Sequence, residues 1–313
     1  MSTPSKSYTK LAYDLRPAKQ VQRRMIIDAL LRLMNAGVPI QEYQYTGLGS
    51  IYFVDFILLH KLLGLQRFIC AEYDTDITER MKFNRPFGQV DIRMEPIGDV
   101  LLELDVDDKH LVWLDYDYRL NGSVLEDATL AAHHLSAGSM LLVTVDAEPP
   151  KDADRNRDRE RYLREECEDY LPVDFDASWC TPENRPDTNL TILQRAIVSG
   201  MAFRRVEFIP IFRFIYADGH EMVTLGGMIG TEREERQVDS CDWSGAHYLR
   251  RSDTEESYRI RVPRLTSLER RFLDQRMPWD SGRRLEEFEL AEADLDAYRE
   301  IYRFLPLYGE LLV

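Results

Sequence analysis

Five acidic residues stand at the ends of apolar stretches in the first half of the chain, and their placement is the first sign of chemistry: Glu72, Asp99, Asp115, Asp117 and Asp146. Glu72 lies in Ala71-Glu72-Tyr73-Asp74, about 20 residues past a glycine turn, where a carboxylate can accept hydrogen bonds from ribose hydroxyls. Neighbouring Asp74 suits a helix cap better. Asp99, in Pro96-Ile97-Gly98-Asp99-Val100, could accept from the exocyclic amine of a purine or cap a short helix. Asp115 and Asp117 would point to one side if their strand persists. Paired acids in one cleft repel unless a cation or a shared proton relieves them. With Asp146 at the neighbouring strand exit, Asp115 and Asp117 could converge on a hard divalent ion such as Mg²⁺; the alternative is one helix cap and solvated neighbours. Without a metal, Asp115 or Asp117 could serve as a base if desolvation raised its pKa. His133 and His134 lie within a helical stretch and read as packing or solvent-facing residues.

The elements that must hold these residues follow from apolar periodicity. Segment 17–36 repeats its apolar residues at helical spacing, ending at Gly37 and Pro39. Strands are expected at 43–46, 66–73, 90–97, 110–116 and 139–145, with helices at 51–63, 74–85 and 123–135 and a short turn or helix at 100–104. Alternation of this kind argues for a parallel sheet with helices on both faces. The runs at 110–116 and 139–145 are almost wholly apolar, as befits strands buried on both sides. The first strand ends in Gly47-Leu48-Gly49-Ser50, whose glycines allow a tight turn and close approach to a ligand. Segment 151–187 is charged and proline-broken, with a helix expected at 157–170, and reads as an insertion over one end of the sheet. A helix at 189–202 precedes strands at 205–217 and 222–229, joined across Asp218-Gly219 as an antiparallel hairpin. The remainder, 231–313, reads as a loop over 232–251, a strand at 258–262 and helices at 265–275 and 294–304. The organisation expected is an N-terminal arm and helix over 1–40, a central domain over 41–230 and a C-terminal α+β extension over 231–313.

Composition narrows the function classes. The 313 residues are 44% hydrophobic and 30% charged, which excludes a disordered or fibrous chain. Forty basic against 55 acidic residues give a net charge of −15, which disfavours broad nucleic-acid coating. Cys70, Cys167, Cys180 and Cys241 form no paired motif and read as isolated reduced thiols. Residues 1–10 lack the apolar core of a secretory leader, and apolar stretches fall short of a membrane span. A cytoplasmic protein with no membrane partner is expected.

Taken in order, a glycine turn after strand one, an acid after strand two, Gly-Asp after strand three, an acid after strand four and a terminal hairpin, residues 40–230 resemble the class I S-adenosylmethionine-dependent methyltransferases. The chain as a whole resembles a bacterial group classed by inference as O-methyltransferases. The resemblance implies a Rossmann-like, mostly parallel α/β sheet in which the last strand inserts antiparallel beside the sixth. It implies S-adenosylmethionine as cofactor, with Gly47 and Gly49 at its methionine end, Glu72 at the ribose and Asp99 at the adenine. Tyr45 joins these candidates, although the family usually carries an acid there, and Ile51 stands where a third glycine is usual. Within the family, Asp115-Tyr116-Asp117 is similar to the acid-x-acid stretch of metal-dependent O-methyltransferases, which implies Asp115 and Asp146 as metal ligands. A small-molecule acceptor is the expected substrate. A second reading is nucleic-acid or nucleotide methylation, drawing on Arg16, Lys19, Arg23 and Arg24 in the first helix and Arg259, Arg261, Arg264, Arg270 and Arg271 in the tail. A third is a catalytically degenerate module that meets a protein partner through the C-terminal extension.

Overall fold

The computed structural model describes residues 16–150, 155–252, 254–278, 285 and 287–306. The start of the expected N-terminal arm and the end of the expected C-terminal extension lie outside these. Among the described residues the strands are β1 (Gln44–Leu48), β2 (Arg67–Ala71), β3 (Val90–Arg93), β4 (His110–Arg119), β5 (Met140–Asp146), β6 (Glu207–Ala217), β7 (Glu221–Gly230) and β8 (Tyr258–Ile260). They form one sheet in the order β3-β2-β1-β4-β5-β7-β6-β8. The first five run parallel, and β7 is antiparallel to both β5 and β6. The short β8 extends the edge parallel to β6. This is the Rossmann-like arrangement with an inserted antiparallel strand that the hairpin predicted.

Strand alternation divides the core between the two faces. Leu111 and Trp113 of β4 point into one cluster, while Val112, Leu114 and Tyr116 point into the other. The first face is covered by α1 (Pro17–Asn35), α2 (Val54–Leu63) and α3 (Thr78–Asn84). The second is covered by α4 (Ile97–Leu102), α5 (Gly122–His134), α6 (Asn156–Cys167) and α7 (Arg185–Gly200). Val21, Met25, Leu30 and Leu33 of α1 are fully buried in the same cluster as Tyr45, Trp113 and Phe214, so α1 is part of the sheet's covering layer.

Several boundaries differ from the periodicity reading, each for a local reason. Ile97 opens α4 instead of ending β3. Phe53 adopts a left-handed conformation, φ 49°, and α2 starts only after it. α7 begins at Arg185, with Pro186 in the first turn, where proline's fixed φ and missing N–H are tolerated. The expected loop at 232–251 opens as α8 (Glu232–Asp239), started by a capping box between Thr231 and Glu234. Only Val238 of that helix is buried, so it carries no apolar stripe for periodicity to detect. Beyond it, α9 (Ser267–Asp274) and α10 (Glu292–Ile301) share a small cluster around Leu273, Leu295 and Tyr298. All four cysteines are buried free thiols. No described helix is long and apolar enough to cross a membrane.

Candidate functional site

The carboxyl ends of β1, β2 and β4 meet in one place because these strands are neighbours in register. Leu48 pairs with Ala71, so the turn after β1 and Glu72 after β2 emerge side by side. Gly49 N–H donates to the Ala71 carbonyl at 2.5 Å. A Cβ on Gly49 would stand 2.6 Å from Glu72 Cβ and 3.0 Å from Glu72 Oε2, so only glycine lets the turn and the acid close together. A Cβ on Gly47 would stand 2.5 Å from the Tyr45 hydroxyl oxygen. Half-buried Glu72 accepts from Asp74 N–H at 2.9 Å, and burial pushes its carboxyl above its ordinary range. Asp74 takes the capping place expected of it, accepting from Asp76 N–H at 3.1 Å.

Asp99 is exposed in the first turn of α4. Beside it, a Cβ on Gly98 would stand 3.1 Å from Asp127 Oδ1, a carboxylate on α5 that accepts from the Tyr116 hydroxyl at 2.6 Å. Burial pushes Asp127 above the usual carboxylate range. Asp127 sits mid-helix, away from any strand exit, and reading strand ends could not have found it.

Asp115 faces α1. Lys19 Nζ donates to Asp115 Oδ1 at 2.6 Å and to the Tyr216 hydroxyl at 3.2 Å, and lies 4.6 Å from the centre of the Trp113 ring. Lys19 is 1% exposed, whereas a quarter of the Asp115 side-chain surface remains open. Burial pushes the ammonium down to about 8, with Asp115 opposing that shift. Burial also disfavours charge on Asp115, but Lys19 and then Arg23 outweigh it and hold the carboxyl below its ordinary value. One turn along α1, Arg23 donates to both oxygens of Asp55 on α2, at 2.5 and 3.3 Å. The start of α1 is capped by Asp218 from the β6–β7 turn, which accepts from Ala18 N–H at 3.0 Å and Lys19 N–H at 2.8 Å. Asp55 and Asp218 were not identified as site residues from sequence, and Lys19 was read only as part of a basic cluster on the first helix, because their roles depend on partners far along the chain.

Three expectations need correction. Tyr45 is a core side chain, edge-on to Phe56 at 4.9 Å and Phe68 at 6.1 Å, and burial raises its phenol well above the ordinary range. The condition for Asp115 as a base, a raised pKa, is not met, because Lys19 and Arg23 favour its anion. The residues also do not suit a magnesium ion shared by Asp115 and Asp146, since an ammonium already sits on Asp115 and further cations flank it. Asp146 instead accepts from Glu148 N–H at 2.7 Å and groups with Glu148 and His220, whose Nδ1 lies 3.0 Å from Glu148 Oε2. Asp117 follows on the outer part of β4, exposed, with its charge felt by Glu72. His133 and His134 bond to the Gly200 and Leu104 carbonyls, as packing residues do.

Residues 11–313 match a family described as "Putative O-methyltransferase". Among solved structures, Trm1 from Pyrococcus horikoshii in complex with S-adenosyl-L-methionine is similar at 17% identity and a TM-score of 0.47, over 71% of this chain and 57% of that one. A "probable spermidine synthase" from Corynebacterium glutamicum is similar at 13% identity and 0.41, over 66% and 63%. The N-methyltransferase NodS from Bradyrhizobium japonicum, with S-adenosyl-L-homocysteine, is similar at 11% identity and 0.39, over 69% and 89%. The chain thus spans less than two thirds of the first two relatives. No curated protein sequence matches the chain.

Proposed function

The chain belongs to this O-methyltransferase family, and from that membership we propose that it transfers the methyl group of S-adenosylmethionine to a hydroxyl of a small acceptor. The observation that carries the cofactor assignment is the close approach of the Gly49 turn to Glu72 at neighbouring strand ends, so close that a Cβ at Gly49 would collide with the acid. The turn from Gly47 to Ser50 would bind the methionine end, Glu72 the ribose and Asp99 the adenine edge. The cofactor supplies a methyl group activated by a sulfonium. The protein's part is to align an acceptor oxygen for in-line transfer. Asp115 would do this as an anion that accepts a hydrogen bond from the acceptor hydroxyl; as the oxygen–methyl bond forms and the sulfur–methyl bond breaks, the hydroxyl proton would pass to water. Lys19 stands behind it as a positioning residue that keeps it ionised and oriented.

A small acceptor is favoured over nucleic acid because the cations of α1 turn inward. Lys19 and Arg23 are 1% and 4% exposed and paired with carboxylates, and in the tail Arg259 pairs with Glu221. A phosphate backbone needs such charges on an open face.

Calorimetric titration with S-adenosylmethionine and S-adenosylhomocysteine tests the reading. Micromolar binding is expected, weakened at least about tenfold in Glu72→Ala, which loses the ribose contact. A folded wild-type protein that binds neither compound overturns it and leaves the partner-binding module as the better account.

A further inference from the structure

Arg185 opens α7 beside Ala147, the first residue beyond β5. It is 1% exposed, and its Nε donates to the Ala147 carbonyl at 3.1 Å. Its Nη1 and Nη2 are buried with no hydrogen-bond partner. One turn along the same face of α7, Asn189 is fully buried, and neither Oδ1 nor Nδ2 has a partner. The groups facing the guanidinium are the thiols of Cys180 and Cys167, the Tyr162 ring, 5.7 Å from Cζ, and a second cation, Arg119. Arg119 donates to the Glu148 carbonyl at 3.0 Å, and its charge is felt by Asp146. Among the described residues Arg185 makes no ion pair.

A guanidinium stays charged in any protein environment, and a buried charge is normally paired. Holding Ala147 in place would need only Nε. The remaining two donors form a planar fork of the kind that takes a carboxylate through two parallel hydrogen bonds. Asn189 adds one free donor and one free acceptor, which suits a polar group bearing a hydroxyl. Arg185 stands at the carboxyl end of β5, the side on which open α/β sheets receive their ligands, and Asn189 lies one turn further along α7.

We propose that Arg185 and Asn189 form a carboxylate-recognition site that takes a small hydroxy acid on the α7 face of the sheet.

The test titrates the full chain with acetate, lactate and phosphate against chloride of equal ionic strength, following thermal stability and calorimetric heat. Both carboxylates should bind saturably and lactate more tightly than acetate. Arg185→Met should abolish that binding while leaving S-adenosylmethionine affinity unchanged. Arg185→Lys should weaken it at least about tenfold, because an ammonium cannot form the fork. Asn189→Leu should remove the preference for lactate. A wild-type protein that responds to carboxylates only as it does to chloride overturns the proposal, as does equal binding by the Arg185 variants. Tighter binding of phosphate than of either carboxylate overturns the assigned ligand class. Should Arg185→Met fail to fold, Arg185→Lys and the wild-type series still decide. Carboxylate binding without S-adenosylmethionine binding would remove the methyltransferase reading and keep the site, and the reverse result would do the opposite.

Discussion

Asp115 and Lys19 act as one unit, and the pair has a pH signature. Lys19 loses its proton near pH 8, well below the 10.5 of a free lysine, because burial penalises the ammonium. Above that pH, Asp115 loses its nearest cation. Turnover with an acceptor found by product screening should therefore fall as pH rises through about 8, and Lys19→Met should lack that limb while running slower throughout. Asp115→Asn should lower kcat by about a hundredfold, because the acceptor oxygen loses the anion that aligns it. A carbon NMR titration of the Lys19 side chain checks the cause without any acceptor. The midpoint should be about 8 in the wild type and lower in Asp115→Asn, since removing the anion removes what favours the ammonium. An upward move would contradict the pairing. Linkage gives a companion effect. Between about 8 and 10.5 the unfolded chain keeps a proton that the folded chain has released, so this lysine favours folding increasingly as pH rises across that window.

At the scale of elements, α1 is positioned by groups from strands that follow it by some 200 residues. Asp218 takes its first free N–H groups, and the negative carboxylate also suits the positive end of the helix dipole. Deeper along the helix, Gln22 donates to Thr224, which bonds Thr144 at 2.7 Å, and Thr144 accepts from Trp113 Nε1 at 3.0 Å. This buried polar chain ties α1 to β7, β5 and β4 and fixes the depth at which Lys19 reaches Asp115. Asp218→Ala should cost about 1–2 kcal/mol of stability and lower Tm by roughly 2–4 °C. Thermal unfolding of the two proteins measures this, and an unchanged Tm would mean the cap contributes nothing.

Across the whole molecule, stability is distributed unevenly. The two faces of the sheet are covered by α1–α3 and α4–α7, and β5 is buried along its whole length. The α9–α10 unit rests on a small cluster with three fully buried members, Leu273, Leu295 and Tyr298. Regions with few buried apolar contacts open at lower free energy than the core. Native-state hydrogen exchange should find the amides of α9 and α10 exchanging well before those of β4 and β5. Equal protection would show that the C-terminal elements unfold only with the sheet. The inward pairing of α1 cations also leaves the outward surface governed by the net charge of −15, which fits an encounter with a small ligand better than one with a polyanion.

The residue order alone determined the alternation of strands and helices, the antiparallel hairpin at Asp218-Gly219, the glycine turn and the acid beside it. These depend on local quantities: the period of apolar residues, the turn chemistry of glycine, and the step from one strand exit to the next. Helix α8, expected as loop, was missed; its signal lay in the capping residues Thr231 and Glu234 and not in apolar periodicity. Tertiary structure alone decided which charges meet. Lys19 and Asp115 are 96 positions apart, Lys19 and Asp218 199, and no local rule couples them. The same holds for Tyr45, whose place among Phe56 and Phe68 turned a candidate ligand residue into core, and for Arg185, an ordinary helix-start arginine until burial left its fork without a partner. The chemistry of a carboxylate or a guanidinium is set by its neighbours in space and its access to water, and both are fixed only when the register of the sheet and the packing of the helices are complete.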